Sequence, residues 1–165
     1  MLRRVLVPSM LVIALVTGLW YLMQGRDESR DVRRRLDEFC DSVNASTTDG
    51  RGPEARAAQL GAFFTEDVEI ELGRGAAPIR GRATVVSMAE RLQPRTAAFR
   101  LEFEDVAVAL DPGGTSADVH LTAEFIRRDL VSGGESLDAR ELTLGMRRDP
   151  RGWQIRRVTG VDTLK

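Results

Sequence analysis

The sequence has one cysteine and one histidine among 165 residues. A single cysteine excludes a disulfide framework and any cysteine-rich metal site. A single histidine, His120, excludes a multi-histidine metal centre, so neither metal nor other cofactor is expected. Lysine occurs once, as Lys165, and aromatic residues make up 5%. No charge sign dominates, because 24 basic and 25 acidic residues leave a net charge of −1. That balance lacks the positive field that draws in nucleic acid and the acidic excess of a disordered tail, so no nucleic-acid partner is expected. The length suits one domain and does not comfortably hold two.

The apolar residues are unevenly spread. Val5 to Met23 carries no charge, and as a helix it would reach roughly 28 Å, close to a hydrocarbon core of about 30 Å. Arg3 and Arg4 precede the run, Trp20 and Tyr21 stand near its far end as interfacial aromatics do, and Pro8 falls in the first turn, where a missing N–H costs least. The rival is a cleaved signal peptide, with a weak site after Gly18 and Val16 at the −3 position. Against it, Leu19 to Met23 continues the apolar run where a mature terminus is usually polar, and no A-x-A site is present. The only cysteine is Cys40, so no lipobox exists. The expectation is an uncleaved anchor in residues 1–24, with membrane contact through 5–23, and a folded domain in 25–165.

Orientation is open to two readings. Arg26, Arg30, Arg33, Arg34 and Arg35 follow the run, and a raw positive-inside count places the domain in the cytoplasm. Those arginines alternate with Asp27, Glu28 and Asp31, and a very short basic N-terminal tail usually stays inside. The balance favours a domain on the periplasmic or extracellular side, with the cytoplasmic side as the alternative.

Within 25–165, Ser29 is a candidate cap for a helix running to about Ala45, with Val32, Leu36, Phe39 and Val43 as its apolar stripe. A turn-rich stretch, 46–52, leads to Pro53 at the first position of a second helix, whose buried side reads Ala57, Leu60, Phe63 and Phe64. Val68, Ile70 and Leu72 alternate with Glu69 and Glu71 as a half-buried strand. Gly73-Arg74-Gly75 turns it into a short strand around Pro78–Arg80, and a third helix runs from about Arg82 to Leu92 before Pro94. The rest is strand. Phe99, Leu101 and Phe103 alternate, then Val106, Val108 and Leu110 alternate on the other phase, so Glu104-Asp105 predicts a β-bulge. Ala117 to Phe125 alternates next, followed by Leu142, Leu144 and Met146. Asp149-Pro150-Arg151-Gly152 predicts a type I turn, and in the last strand Trp153, Ile155 and Arg157 are expected on one face. The fold class is α+β: three helices on a strongly bent, mostly antiparallel sheet, forming a cone with an apolar interior.

This order of elements resembles the nuclear transport factor 2-like superfamily, also called SnoaL-like. The resemblance is carried by Phe39-Cys40-Asp41-Ser42-Val43-Asn44 on the first helix and Phe63 to Ile70 entering the first strand. Ile79-Arg80-Gly81-Arg82-Ala83 enters the third helix, and Asp149 to Ile155 makes the last hairpin. It covers nearly all of 29–162 and implies a fold shared by ketosteroid isomerase, polyketide cyclases, dehydratases and many non-catalytic binding domains, so it does not imply one function. Ketosteroid isomerase relatives hold an oxyanion with a tyrosine on the first helix and a neutral acid on a late strand, beside a carboxylate base. Laid onto this sequence, the tyrosine position falls on Phe39, the base near Leu72 and the late acid near Leu144. All three are apolar, so that proton-transfer chemistry is expected to be absent and no catalytic residue is assigned. Glu71 is the one rescue by a register slip, and period two places it on the opposite face.

Two functional readings follow. The favoured one is a membrane-tethered, non-catalytic binding or scaffold domain. It would work as a homodimer or within a membrane complex, through the open sheet face carrying His120, Thr122 and Glu124. The alternative is a carrier or an isomerase-, cyclase- or dehydratase-type enzyme for a small apolar ligand, with Phe39, Leu72, Leu144 and Trp153 lining the cone pocket. His120 as a general base would need a partner, and Asp118 lies two residues away on the same strand, about 6.5–7 Å along it. Cys40 reads as an inert thiol or, in an exported domain, as one half of an intermolecular disulfide. Asn44-Ala45-Ser46 matches a glycosylation sequon without further support. Among Arg127, Arg128, Arg147, Arg148, Arg156 and Arg157, the last two pairs sit on strands joined by a tight hairpin that can cluster them, and the set forms either a solvated mixed-charge face or a patch for lipid headgroups or an acidic partner.

Overall fold

The computed structural model describes residues 27–45, 52–73, 77–91, 97–129 and 133–161. The expected anchor at 5–23, most of the 46–52 turn and Arg74-Gly75 lie outside them. Among the described residues, no helix is long and apolar enough to cross a membrane.

Helix α1 covers residues 27–45. It is already helical at Asp27, so Ser29 sits inside the helix and is not its cap. Its stripe is as expected: Val32 and Leu36 are fully buried, and Phe39, Cys40 and Val43 pack against the core. Helix α2 (Pro53–Gly61) begins with proline at the first position and buries Ala57. It ends before Phe63, which stands in the turn that delivers β1 (Phe64–Glu71). Phe63 and Phe64 are therefore core residues of the turn and strand rather than of the helix face. Strand β2 (Ile79–Arg80) pairs with β1, and Arg80 meets Glu69 at 2.7 Å. Gly81 then takes φ +83°, a left-handed conformation that glycine adopts without strain, and its N–H donates to the Val68 carbonyl at 2.8 Å. Helix α3 (Arg82–Arg91) follows.

Four long strands complete the chain: β3 (Ala97–Leu110), β4 (Ser116–Asp129), β5 (Glu135–Asp149) and β6 (Gly152–Gly160). The six-stranded sheet has the order β2-β1-β6-β5-β4-β3. Every neighbouring pair is antiparallel except β1 and β6, which run parallel. Parallel neighbours need a long connection, and here everything from β2 to β5 lies between them. The core stands between α1 and one face of the sheet, with Val119, Leu121, Leu142, Leu144, Met146, Trp153 and Ile155 against Val32 and Leu36.

The bulge expected at Glu104-Asp105 is present. The β3–β4 register shifts between Glu104 and Ala107, and Asp105 has φ +51°, so Phe103 and Val106 both stay turned to the core. A second bulge was not expected. Gly145 pairs with Arg157 and Met146 with Ile155, leaving Arg156 as the extra residue of β6. Alternation therefore restarts after Ile155, and Val158 takes the buried side while Arg156 and Arg157 are both exposed. Arg157 does not share a face with Trp153 and Ile155. The Ala117–Phe125 alternation also ends early, because Phe125 is 41% exposed, as are Phe99 and Leu137 nearby (38% and 61%).

Candidate functional site

The four residues expected to line a cone pocket separate into two groups. Leu144 and Trp153 are 2% and 3% exposed inside the packed core. Phe39 reaches the same core from α1, with its ring edge-on to Phe63 and Phe64 (centroids 5.3 and 5.7 Å) and stacked on Phe103 at 6.1 Å. Leu72 is not with them. It lies just past the end of β1 and is 46% exposed, because the strand stops at Glu71 and the chain turns away beside Gly160. Aromatic side chains occupy the space that a ligand in the cone would need around Phe39.

Polar groups inside are few. Among the described residues, Thr65 and Gln154 are the only fully buried polar ones; Glu28 on α1 adds one carboxylate oxygen, Oε2, shut off from solvent with no hydrogen-bond partner among the described residues, while its other oxygen pairs with Arg148. Gln154 donates to the Ala62 carbonyl at 3.4 Å. The Trp153 indole N–H is buried without an acceptor, while its backbone carbonyl accepts from Arg35 at 3.1 Å. The Cys40 thiol is pushed up to about 12 by burial first, then by the negative charges of Asp37, Asp41 and Glu102. A thiol so disfavoured as thiolate is a poor nucleophile and a poor partner for disulfide exchange.

The opposite face of the sheet carries the polar candidates. His120, Thr122 and Glu124 alternate with buried Val119, Leu121 and Ala123 along β4 and point away from the core. His120 Nδ1 stands 3.1 Å from the Thr143 hydroxyl, its cross-strand partner on β5. Thr122 pairs with Glu141, and Glu124 lies between Glu102 and Ala139. Among the described residues no carboxylate orients the imidazole, so the arrangement lacks the second member of an acid–base pair. This end of the face carries Glu102, Glu104, Glu124 and Glu141 on three adjacent strands, with Glu102 paired to Arg100 at 2.6 Å.

Its other end is basic. Arg147, Arg148, Arg156 and Arg157 line a groove of about 790 Å³ at the β5–β6 hairpin. Arg127 and Arg128 are not among them, lying opposite Ser136 and Glu135 at the far end of β4. Arg147 and Arg156 share the Asp67 carboxylate at 3.7 and 3.4 Å, and Arg148 pairs with Glu28 on α1. Asp67 is held below the usual carboxylate range. The first cause is the Thr65 hydroxyl, which lies near it but short of full hydrogen-bond geometry, and the two arginines add to it. The hairpin joining β5 and β6 brings the two arginine pairs near one another, as their spacing in the sequence suggests; the departure from expectation is Arg157, which leaves the face of Trp153 and Ile155. The signal for this departure is present in the sequence: Ile155 and Val158 are both apolar, and in a strand of period two only an extra residue puts both inside.

No family model matches the sequence, and neither does any curated protein. Solved structures do. An NTF2-like protein with a cystatin-like fold from Novosphingobium aromaticivorans has a TM-score of 0.69 at 17% identity, covering 90% of this chain and 91% of its own. ActVI-ORFA from Streptomyces coelicolor scores 0.66 at 15% identity, over 82% and 98% of the two chains. A Novosphingobium aromaticivorans protein provisionally named a scytalone dehydratase scores 0.66 at 14% identity, over 85% and 87%. At such identities the likeness is one of fold: three helices on a six-stranded mixed sheet, the nuclear transport factor 2-like architecture.

Proposed function

We propose that the chain is a membrane-tethered, non-catalytic binding module that docks a protein partner, either a second copy or a component of an envelope complex, on the open face of its sheet. The observation that carries this reading is the contrast between the two sides of that sheet. The inner side is packed with Phe39, Leu144 and Trp153, and the largely buried carboxylate on that side, Glu28, is paired with Arg148, which leaves proton transfer without a free base. The outer side presents exposed His120 and half-exposed Thr122 and Glu124 along β4 beside β5. The tether is the uncharged run Val5–Met23, and the domain is placed on the periplasmic or extracellular side, with the cytoplasmic side as the alternative.

The second reading is a carrier or enzyme for a small apolar ligand held in the cone. Two observations favour it: the buried Trp153 N–H without an acceptor, and the name of the scytalone dehydratase-like neighbour. Ligand entry would require the Phe39–Phe103 stack to open.

One experiment separates them. A photo-crosslinking amino acid is placed at Thr122 in the full chain expressed in membranes, with a second variant carrying it at Phe39. Discrete protein adducts from Thr122, retained with the membrane after alkaline carbonate washing, are expected. Adducts from Phe39 to a small molecule, with none from Thr122, overturn the binding-module reading in favour of the second. Release of the chain by carbonate overturns the tether, and protease digestion of spheroplasts reports which side holds the domain.

A further inference from the structure

We propose that the basic groove at the β5–β6 hairpin is a binding site for a small ligand bearing a phosphate or comparable multiply charged oxyanion. Arg147, Arg156 and Arg157 reach it from two adjacent strands, with Arg148 at its edge held by Glu28 on α1, and the way they arrive matters more than their number. The extra residue at Arg156 breaks the alternation of β6 and turns Arg156 and Arg157 to solvent side by side. Bulges re-aim side chains in this manner at functional edges. Without it, one of the two would be directed at the core.

Charge pairing within the groove is incomplete. Arg147 and Arg156 have one carboxylate, Asp67, between them. Arg157 has no ion-pair partner among the described residues. The Asp111 carboxylate is committed to its own turn, accepting from the Thr115 and Ser116 N–H groups at 2.9 and 2.8 Å and from Gly113 at 3.3 Å. Asp118 remains as the one acidic wall, across Gly145 from Arg157.

The floor is cleared for an occupant. Gly145 stands directly opposite Arg157 and puts no side chain over the sheet beside the guanidinium, where a Cβ would rest in ordinary contact with the Arg157 Cβ at 3.5 Å. Hydroxyls of Thr143 and Thr159 flank this point on the two strands. Guanidinium forks match the oxygens of phosphate and carboxylate in geometry as well as charge, and the Thr159 hydroxyl completes such a shell as a neutral donor, while the Thr143 hydroxyl stands 3.1 Å from His120 Nδ1. The volume of about 790 Å³ lies within the range of small-molecule sites. Ala109 and Leu110 at one edge offer the uncharged body of a ligand a place to rest. Neither a membrane anchor nor a protein partner is needed for this site.

The test is isothermal titration calorimetry on the full chain in detergent, with inorganic pyrophosphate as one probe and dioctanoyl phosphatidic acid as the other. Saturable binding that weakens as salt rises is expected. Arg157→Ala should weaken it roughly tenfold, and Arg157→Lys by less, since a point charge keeps attraction without the fork. Asp118→Asn should tighten it about threefold by removing the acidic wall, a gain that loss of folding cannot imitate. Binding of pyrophosphate alone assigns the groove to a free anion, and binding of the short-chain lipid at least as tightly assigns it to a headgroup; both support the site. No saturable binding of either probe, or equal affinities in wild type, Arg157→Ala and Asp118→Asn, overturns it.

Discussion

Asn44 and Leu101 hold one another by a reciprocal pair of hydrogen bonds. The Leu101 N–H donates to Asn44 Oδ1 at 2.8 Å, and Asn44 Nδ2 donates to the Leu101 carbonyl at 2.9 Å. A side-chain amide thus imitates a strand partner and ties the end of α1 to β3 across 57 residues of sequence. The Asn44-Ala45-Ser46 triplet looks like a sequon in the sequence, and in the fold its asparagine is a clamp. Asn44→Ala leaves both backbone groups of a partly buried site without this partner and should cost about 1–3 kcal/mol. Asn44→Asp keeps the acceptor but loses the donor and should fall between. Urea denaturation midpoints check this, and a loss below about 0.3 kcal/mol, within ordinary surface variation, would show that the pair contributes little.

Helix α2 approaches α3 closely because residue 61 is glycine. A Cβ at Gly61 would lie 2.6 Å from Val86 Cγ2, closer than packed atoms allow. Gly61→Ala should therefore destabilise by about 1–3 kcal/mol through overpacking, despite the better helix propensity of alanine. Val86→Ala in the same chain should restore part of the loss. A double-mutant cycle by thermal unfolding measures the coupling, and simple additivity of the two changes would refute the contact.

The Cys40 thiol should resist alkylation. With burial and neighbouring carboxylates pushing it to about 12, iodoacetamide at pH 8 should label the native chain far more slowly than the urea-unfolded one. The same shift bears on stability. The folded form holds its proton more tightly than an unfolded thiol, whose ordinary value is about 8.5. Both states are protonated below that value, and stability should fall as pH rises from about 9 toward 12. Cys40→Ser should flatten that alkaline limb. Rapid labelling of the native protein at pH 8 would contradict the burial argument.

Leu36 is 1% exposed and sits where α1 meets the sheet. Leu36→Ala should cost about 2–5 kcal/mol, combining lost transfer energy with an unfilled cavity. Leu72→Ala, at a side chain 46% exposed, should cost well under half of that. Parallel denaturation curves test the ranking, and equal losses would place Leu72 in the core after all.

Much of the architecture was readable along the chain. The α1 stripe, the proline start of α2, the bulge at Asp105 and the turns at Asp111 and Asp149 each depend on residues close in sequence. The Asp149 turn, for instance, is held by its own Oδ1 accepting from the Arg151 N–H at 2.7 Å, with Gly152 at φ +113°. The candidate site was less legible. Phe39, Leu144 and Trp153 all turn inward, yet whether they line a cavity or fill it depends on Phe63, Phe64 and Phe103 arriving from elsewhere. Leu72 continued the β1 alternation on paper, but its burial depends on how far the neighbouring elements extend over it.

Periodicity is a one-dimensional record of amphipathic local structure, and it was enough to separate helices from strands and to reach an α+β sheet protein with an apolar side. It carries no information on which strands become neighbours. The parallel pairing of β1 with β6, the exposure of Phe125, and the arrival of Asp67 beside Arg147 and Arg156 of the β5–β6 hairpin all arise from contacts across long separations. One inserted residue in β6 shows the difference most sharply. In the sequence Arg156-Arg157 is a pair of charges in a strand, and in the folded sheet the mismatch with Gly145 and Met146 turns both onto the same side.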